Sequence, residues 1–193
     1  SDRDDAEVAV DVTKTFELDL AAPTIADSYF VRYVIDGESF DLPLLAPATD
    51  GDEMAASSLA YRASITVPYG TTIDSWQFFA KLGMAEIPLA AAEGPETLPF
   101  EDGQVSVNDL TFFPGTATGT KYIDGNRNQR LDESDPAGEG WTVKLLRDGV
   151  EVGSDVTGAG GVFAFDGLLP GDYTFEEVMT GPYTQIHAPE GFT

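Results

Sequence analysis

Cysteine is absent from the chain, so no disulfide can hold it together, and stability outside a cell would have to come from elsewhere. Histidine occurs once, at His187, and with no thiol nucleophile every histidine-dependent catalytic arrangement would rest on that residue. His187 reads as a surface-loop histidine, and no GxGxxG, P-loop, HExxH or CxxC segment occurs. The many carboxylates are compatible with a glycosidase acid pair, but sequence does not give their separation. The chain is read as not an enzyme. Basic residues are scarce, 10 Lys and Arg against 34 Asp and Glu, for a net charge of −24. Residues 1–118 hold 21 acids and 5 bases, and residues 119–193 hold 13 and 5. Both halves therefore repel nucleic acid and anionic membrane surfaces, and screening salt or bound cations should relieve the self-repulsion. No apolar run approaches the ~20 residues of a membrane-spanning helix. No leader segment is visible and the first residue is Ser, which reads as a mature or excised portion. The three asparagines, Asn108, Asn126 and Asn128, have no Ser or Thr two places on, so none is a glycosylation acceptor.

What the sequence does have is β patterning. Short alternating runs bounded by Gly, Pro and Asp cover residues 16–20, 29–35, 39–45, 59–67, 73–82, 86–90 and 104–113. Spacing of that order suggests a β-sandwich. The Ala-rich pieces 46–59 and 90–96 have the composition of a helical turn, but the neighbouring Pro and Gly favour reading them as loops. Pro114-Gly115-Thr116-Ala117-Thr118-Gly119 reads as a short linker that restricts domain orientation. The expected fold is all-β, two immunoglobulin-like or prealbumin-like sandwiches in tandem. Residues 1–113 form the first, 114–119 the linker and 120–193 the second.

The run from Asp124 to Asp135 places side-chain oxygens at its first, third, fifth, ninth and twelfth positions. A hard divalent cation needs about six oxygens, and Asp124, Asn126, Asn128, the Arg130 carbonyl, Asp132 and Asp135 can converge on one point, so Ca2+ is the expected metal. Two departures stand against it: Gln129 occupies the sixth position, where such loops use glycine, and Asp135 has a shorter arm than glutamate. The alternative is an Asx-rich surface turn.

The loop is followed by Gly140-Trp141-Thr142-Val143-Lys144-Leu145, then Gly160-Gly161-Val162-Phe163-Ala164-Phe165, then Leu168-Leu169-Pro170-Gly171-Asp172-Tyr173-Thr174-Phe175-Glu176-Glu177. In this order the segments resemble the B-type repeat of serine-aspartate-repeat surface proteins and the collagen-adhesin B-type, prealbumin-like domain, over residues 118–193. The resemblance implies a small β-sandwich with calcium at the loop, acting as a spacer on a microbial surface. It also implies one more strand beyond Thr193. Val12-Thr13-Lys14-Thr15-Phe16, Tyr29-Phe30-Val31-Arg32-Tyr33 and Ile65-Thr66-Val67-Pro68-Tyr69-Gly70 give residues 12–113 a weaker resemblance to immunoglobulin-like repeats of microbial surface proteins.

Such families sometimes carry an isopeptide bond between lysine and asparagine, promoted by a buried acid. Lys14 falls in phase with Val10, Val12, Phe16 and Leu18, hence on an inward face, and Asn108 lies in the last strand of the first domain. For the acid, the strand at 73–77 offers only Asp74, in doubtful phase. The competing reading is a lysine that snorkels at a sheet edge. In the second domain Glu177 matches the family's acid, but no asparagine follows Asn128, so Glu177 reads as a solvated or loop-pairing carboxylate.

The alternation of Val8, Val10, Val12, Lys14, Phe16, Leu18 and Leu20 is longer than an ordinary sandwich strand. Val8, Val10 and Val12 are therefore candidate donor-strand residues that would fill a groove in a neighbouring copy; the alternative is a disordered acidic tail. Trp76, Phe78, Phe79 and Trp141 can stack on sugars or fill the core. The expected function is a non-catalytic extracellular structural protein, a subunit of a surface fibre, pilus-like filament or surface layer that partners other copies of itself. The alternative is a surface adhesin module that binds glycan or a host or matrix protein.

Overall fold

A computed structural model describes residues 11–46, 59–98, 105–130, 132–179 and 181. The chain divides into two compact units, Ser1–Phe113 and Pro114–Thr193. The described elements are β-strands and one 3-10 turn. His187, Val8 and Val10, and the question of a last strand in the second unit, lie outside the described residues.

In unit one, β1 (Asp11–Leu20) alternates as its sequence does: Val12, Lys14, Phe16, Leu18 and Leu20 are all buried. It runs between β4 (Leu59–Pro68), antiparallel, and β9 (Val105–Phe112), parallel. A second sheet has the order β3-β2-β6-β7, from β2 (Ser28–Ile35), β3 (Glu38–Leu44), β6 (Ser75–Leu82) and β7 (Ala85–Pro88). The Phe16 ring on β1 lies 6.4 Å from Phe78 on β6 and 6.1 Å from Tyr33 on β2, so the two sheets share one core. Each fully buried side chain of the size of Phe16 or Leu18 contributes about 1.5–3 kcal/mol to holding the layers together. The β2–β3 hairpin turns at Asp36-Gly37, both at positive φ (52° and 75°), as the two-residue turn that matches strand twist requires.

A third, two-stranded piece pairs β5 (Thr72–Ile73) with β8 (Glu96–Thr97). Gly94, at φ 119°, leads into β8, and a Cβ there would stand 2.6 Å from the Asp74 carbonyl oxygen. Only glycine lets the chain run this close past β5 before Glu96.

In unit two, β10 (Gly115–Thr120) pairs with β13 (Val162–Leu168), while β11 (Thr142–Arg147) is flanked by β12 (Val150–Val156) and β14 (Tyr173–Glu177). Phe163 and Phe165 on β13 meet Phe175 on β14 with centroids 5.0 and 5.8 Å apart, joining the two sheets over the fully buried Leu145.

Three expectations change. Residues 115–119 are not linker but most of strand β10, because Ala117, Thr118 and Gly119 find antiparallel partners in Phe165, Ala164 and Phe163. The stretch 90–96 is not all loop, since Glu96 begins β8. Val12 is not a donor residue: it pairs with Val67 of its own unit and is 3% exposed, so its apolar face is already covered.

Candidate functional site

The parallel pairing of β1 with β9 sets Lys14 beside Ser106 and Phe16 beside Asn108. Lys14, 0% exposed, is the one charged side chain in the core of the described residues. Taking an ammonium out of water costs several kcal/mol unless it is closely paired. Its Nζ donates to Glu96 Oε2 at 2.7 Å and to Ser106 Oγ at 2.8 Å. The Ser106 hydroxyl in turn donates to Glu96 Oε1 at 2.6 Å. Aromatic faces close the remaining sides, with Nζ 5.4 Å from the Trp76 ring centroid and 5.8 Å from that of Phe16.

Asn108 is the smallest of the neighbours that lower the Glu96 carboxyl, so this group, bonded to the lysine amine, also lies near the asparagine amide. Burial pushes the Glu96 carboxyl up, but hydrogen bonds from Lys14, Ser106 and Asn108 and the charge of Lys14 outweigh it and hold the group below the usual carboxylate range. The Asn108 Oδ1 atom is buried without a hydrogen-bond partner, a rarity in native cores and one with a cost of about 1–3 kcal/mol.

The structure thus sets Lys14 and Asn108 on one face of adjacent strands, near an acid the sequence did not single out. Asp74 is not that acid; its carboxylate accepts the Gly37 amide at 3.0 Å. Glu96 sits on a two-residue strand whose position depends on pairing with β5, a tertiary contact with no periodic trace in the sequence. Ser106 had a signal, being two residues from Asn108 and so on the same face.

In unit two Glu177 is not solvated. It pairs with Lys121 at 3.0 Å, the side chains only 12% and 17% exposed, and the Lys121 ammonium lies 5.0 Å from the Trp141 ring.

The Asp124–Asp135 loop is wound by its own side chains. Asp124 accepts the amides of Asn128 and Gln129, Asn126 that of Asn128, Asn128 that of Arg130, and Asp135 those of Gly125 and Asp132. Arg127 and Gln129 supply the curvature at φ 61°, a left-handed conformation that costs a non-glycine residue roughly 1–2 kcal/mol. Asp132 accepts from Ser134, Asn126 and Asn128, which holds its carboxyl far below the usual range. Among the described residues no group of three or more His, Cys, Asp or Glu side chains is placed to hold a metal ion. The donors are still all oxygen-bearing and include three carboxylates, the chemistry a hard cation takes. A half-turn of the Asn126 and Asn128 amides would present their oxygens where their NH2 groups now face Asp132.

Trp76, Phe78, Phe79 and Trp141 are at most 8% exposed, so they belong to the cores and offer no stacking platform to a sugar.

No protein-family profile and no curated protein matches the chain. Among solved structures it is similar to the Bacillus anthracis TIE protein, with 14% identity and TM-score 0.36 over 95% of this chain and 31% of that one. It is similar also to a Streptococcal ancillary pilin, with 17% identity and TM-score 0.37 over 92% and 58%. A leucine-rich repeat protein from Bacteroides thetaiotaomicron is matched at 16% identity and TM-score 0.31, over 94% of this chain and 24% of that one. The chain therefore spans between about a quarter and three-fifths of these three proteins.

Proposed function

We propose that this chain is a non-catalytic extracellular structural protein, a unit of a surface fibre, pilus-like filament or surface layer, whose first unit closes on an amide bond between Lys14 and Asn108. One observation carries the reading: a fully buried lysine bonded to a carboxyl group lies two residues along from an asparagine on the same face of the adjacent parallel strand, and that asparagine helps to lower the same carboxyl. The reaction needs no outside reagent. Glu96 takes a proton from the Lys14 ammonium, and the freed Nζ lone pair attacks Cγ of Asn108. The C–Nδ2 bond then breaks as the leaving nitrogen takes protons back, so one ammonium ion and one secondary amide replace the lysine ammonium and the asparagine amide. A carboxyl bonded to the amine and close to the amide can serve first as base and then as acid, and the shared core holds the reactants together.

For a chain without cysteine, such a bond does what a disulfide does elsewhere, restricting the unfolded chain. The order of motifs in residues 118–193 supports a surface setting, with each unit an immunoglobulin-like or prealbumin-like sandwich and Ca2+ held by Asp124, Asn126, Asn128, Arg130, Asp132 and Asp135. Assembly with further copies of the chain belongs to the same proposal, though not through a donated strand that includes Val12.

Intact-mass spectrometry tests the reading. The full chain should weigh less than its sequence by one ammonia, with a branched Lys14–Asn108 peptide after digestion, and Asn108→Ala should restore the full mass. An unmodified mass in the folded protein overturns it. Negative-stain imaging of native material decides the fibre.

A further inference from the structure

We propose that Ser106 is the positioning residue of this crosslink, holding the Lys14 amine and the Glu96 carboxyl in register and carrying a proton between them; the inference rests on the crosslink reading above. In the strand register Ser106, and not Asn108, is the direct neighbour of Lys14. The amine must therefore lean two residue pairs along the sheet to reach its target. Three hydrogen bonds hold the amine and the carboxyl at Ser106, on the face that also carries Asn108: Nζ to Glu96 Oε2 at 2.7 Å, Nζ to Ser106 Oγ at 2.8 Å, and Ser106 Oγ to Glu96 Oε1 at 2.6 Å.

A hydroxyl has one proton to give and lone pairs to accept with, and here both capacities are used toward the reacting groups. As Oγ receives a proton from Nζ it passes its own to Oε1, so the lysine loses one proton, Glu96 gains one and the serine is unchanged. Direct transfer from Nζ would protonate Oε2 instead. The relay leaves Oε2 as an acceptor that keeps hold of the neutral amine through a remaining N–H. The Glu96 side chain is 26% exposed, so its second oxygen would otherwise be free to turn toward water, and the Ser106 hydrogen bond prevents this.

The test uses the full chain, synthesised into denaturant and refolded by dilution, with loss of ammonia followed by intact mass across a pH series. Ser106→Ala should slow crosslinking about tenfold or more, the equivalent of one charge-assisted hydrogen bond, and should change the pH dependence of the rate. Ser106→Thr restores the hydroxyl and should recover most of the rate; Ser106→Cys, a weak donor, should not. A serine that only filled space would alter melting behaviour without changing the pH profile. If Ser106→Ala crosslinks at the wild-type rate with the wild-type profile, the positioning role is wrong and the crosslink stands. If the wild-type chain never loses ammonia, both fall together.

Discussion

Lys14 and Asn108 lie on the same face of neighbouring parallel strands but are two pairs out of register, Lys14 beside Ser106 and Asn108 beside Phe16, and Glu96, bonded to Lys14, lies near both. That offset makes an acid and a hydroxyl necessary to bring the two together. It also makes the consequences of single substitutions separable.

Removing the acceptor should cost the stability of a closed loop. In the chain-entropy treatment a crosslink enclosing about 100 residues is worth about 4.7 kcal/mol. Asn108→Ala should therefore unfold at lower denaturant, by about 4 kcal/mol in unit one. Urea titration followed by tryptophan fluorescence reads this, since Trp76 lies in that core. A difference below about 1 kcal/mol would mean no such loop is closed.

Removing the acid should be worse than removing the acceptor. Glu96→Ala abolishes the bond and also strands a buried ammonium, which in general adds about 3–5 kcal/mol of destabilisation; the partial exposure of Glu96 places the expected figure at the lower end. Lys14→Met removes bond and charge together and should be milder than Glu96→Ala. Equal losses for the two variants would contradict this account of the pair.

Acid should destabilise the uncrosslinked protein through Glu96. Its folded-state affinity for protons is below the unfolded one, so its contribution is fully present above the ordinary carboxylate range and is lost as pH falls through the lowered folded value. In Asn108→Ala, unfolding midpoints measured downward from about pH 5 should drop. Adding Glu96→Gln should flatten that drop in part, whereas an unchanged profile would remove Glu96 from the explanation.

Calcium should raise the melting temperature of the second unit. At a free concentration 100-fold above the dissociation constant, binding adds about 2.7 kcal/mol. Asp124→Ala and Asp132→Ala should abolish the shift between calcium and chelator, read by calorimetry on the full chain. If the wild-type protein melts identically in both, the loop is only a turn wound by its own side chains.

The inward phase of Lys14 and the strand position of Asn108 were legible because both lie on long strands where alternation is strong. Most strand positions were legible for the same reason. Glu96 was not, because β8 is two residues long and exists only through its pairing with Thr72 and Ile73. The stretch 115–119 misled for the opposite reason: Gly and Thr look like a linker until Phe163, Ala164 and Phe165 supply partners. Gln129 departs from the glycine expected at its position, yet takes the left-handed backbone all the same, held there by the Asp124 carboxylate on its amide.

The parallel run of β1 and β9 also fixes how unit one would respond to tension. Parallel neighbours place the start of β1 and the end of β9 at opposite ends of the sheet, so a pull on the chain termini shears these two strands past each other. With Lys14 joined to Asn108, the load passes from the first few residues of β1 straight into the last few of β9. Residues 15–107 then lie off the load path, and at about 3.3 Å per residue roughly 300 Å of extension is withheld. Under force the unit would behave as an inextensible link.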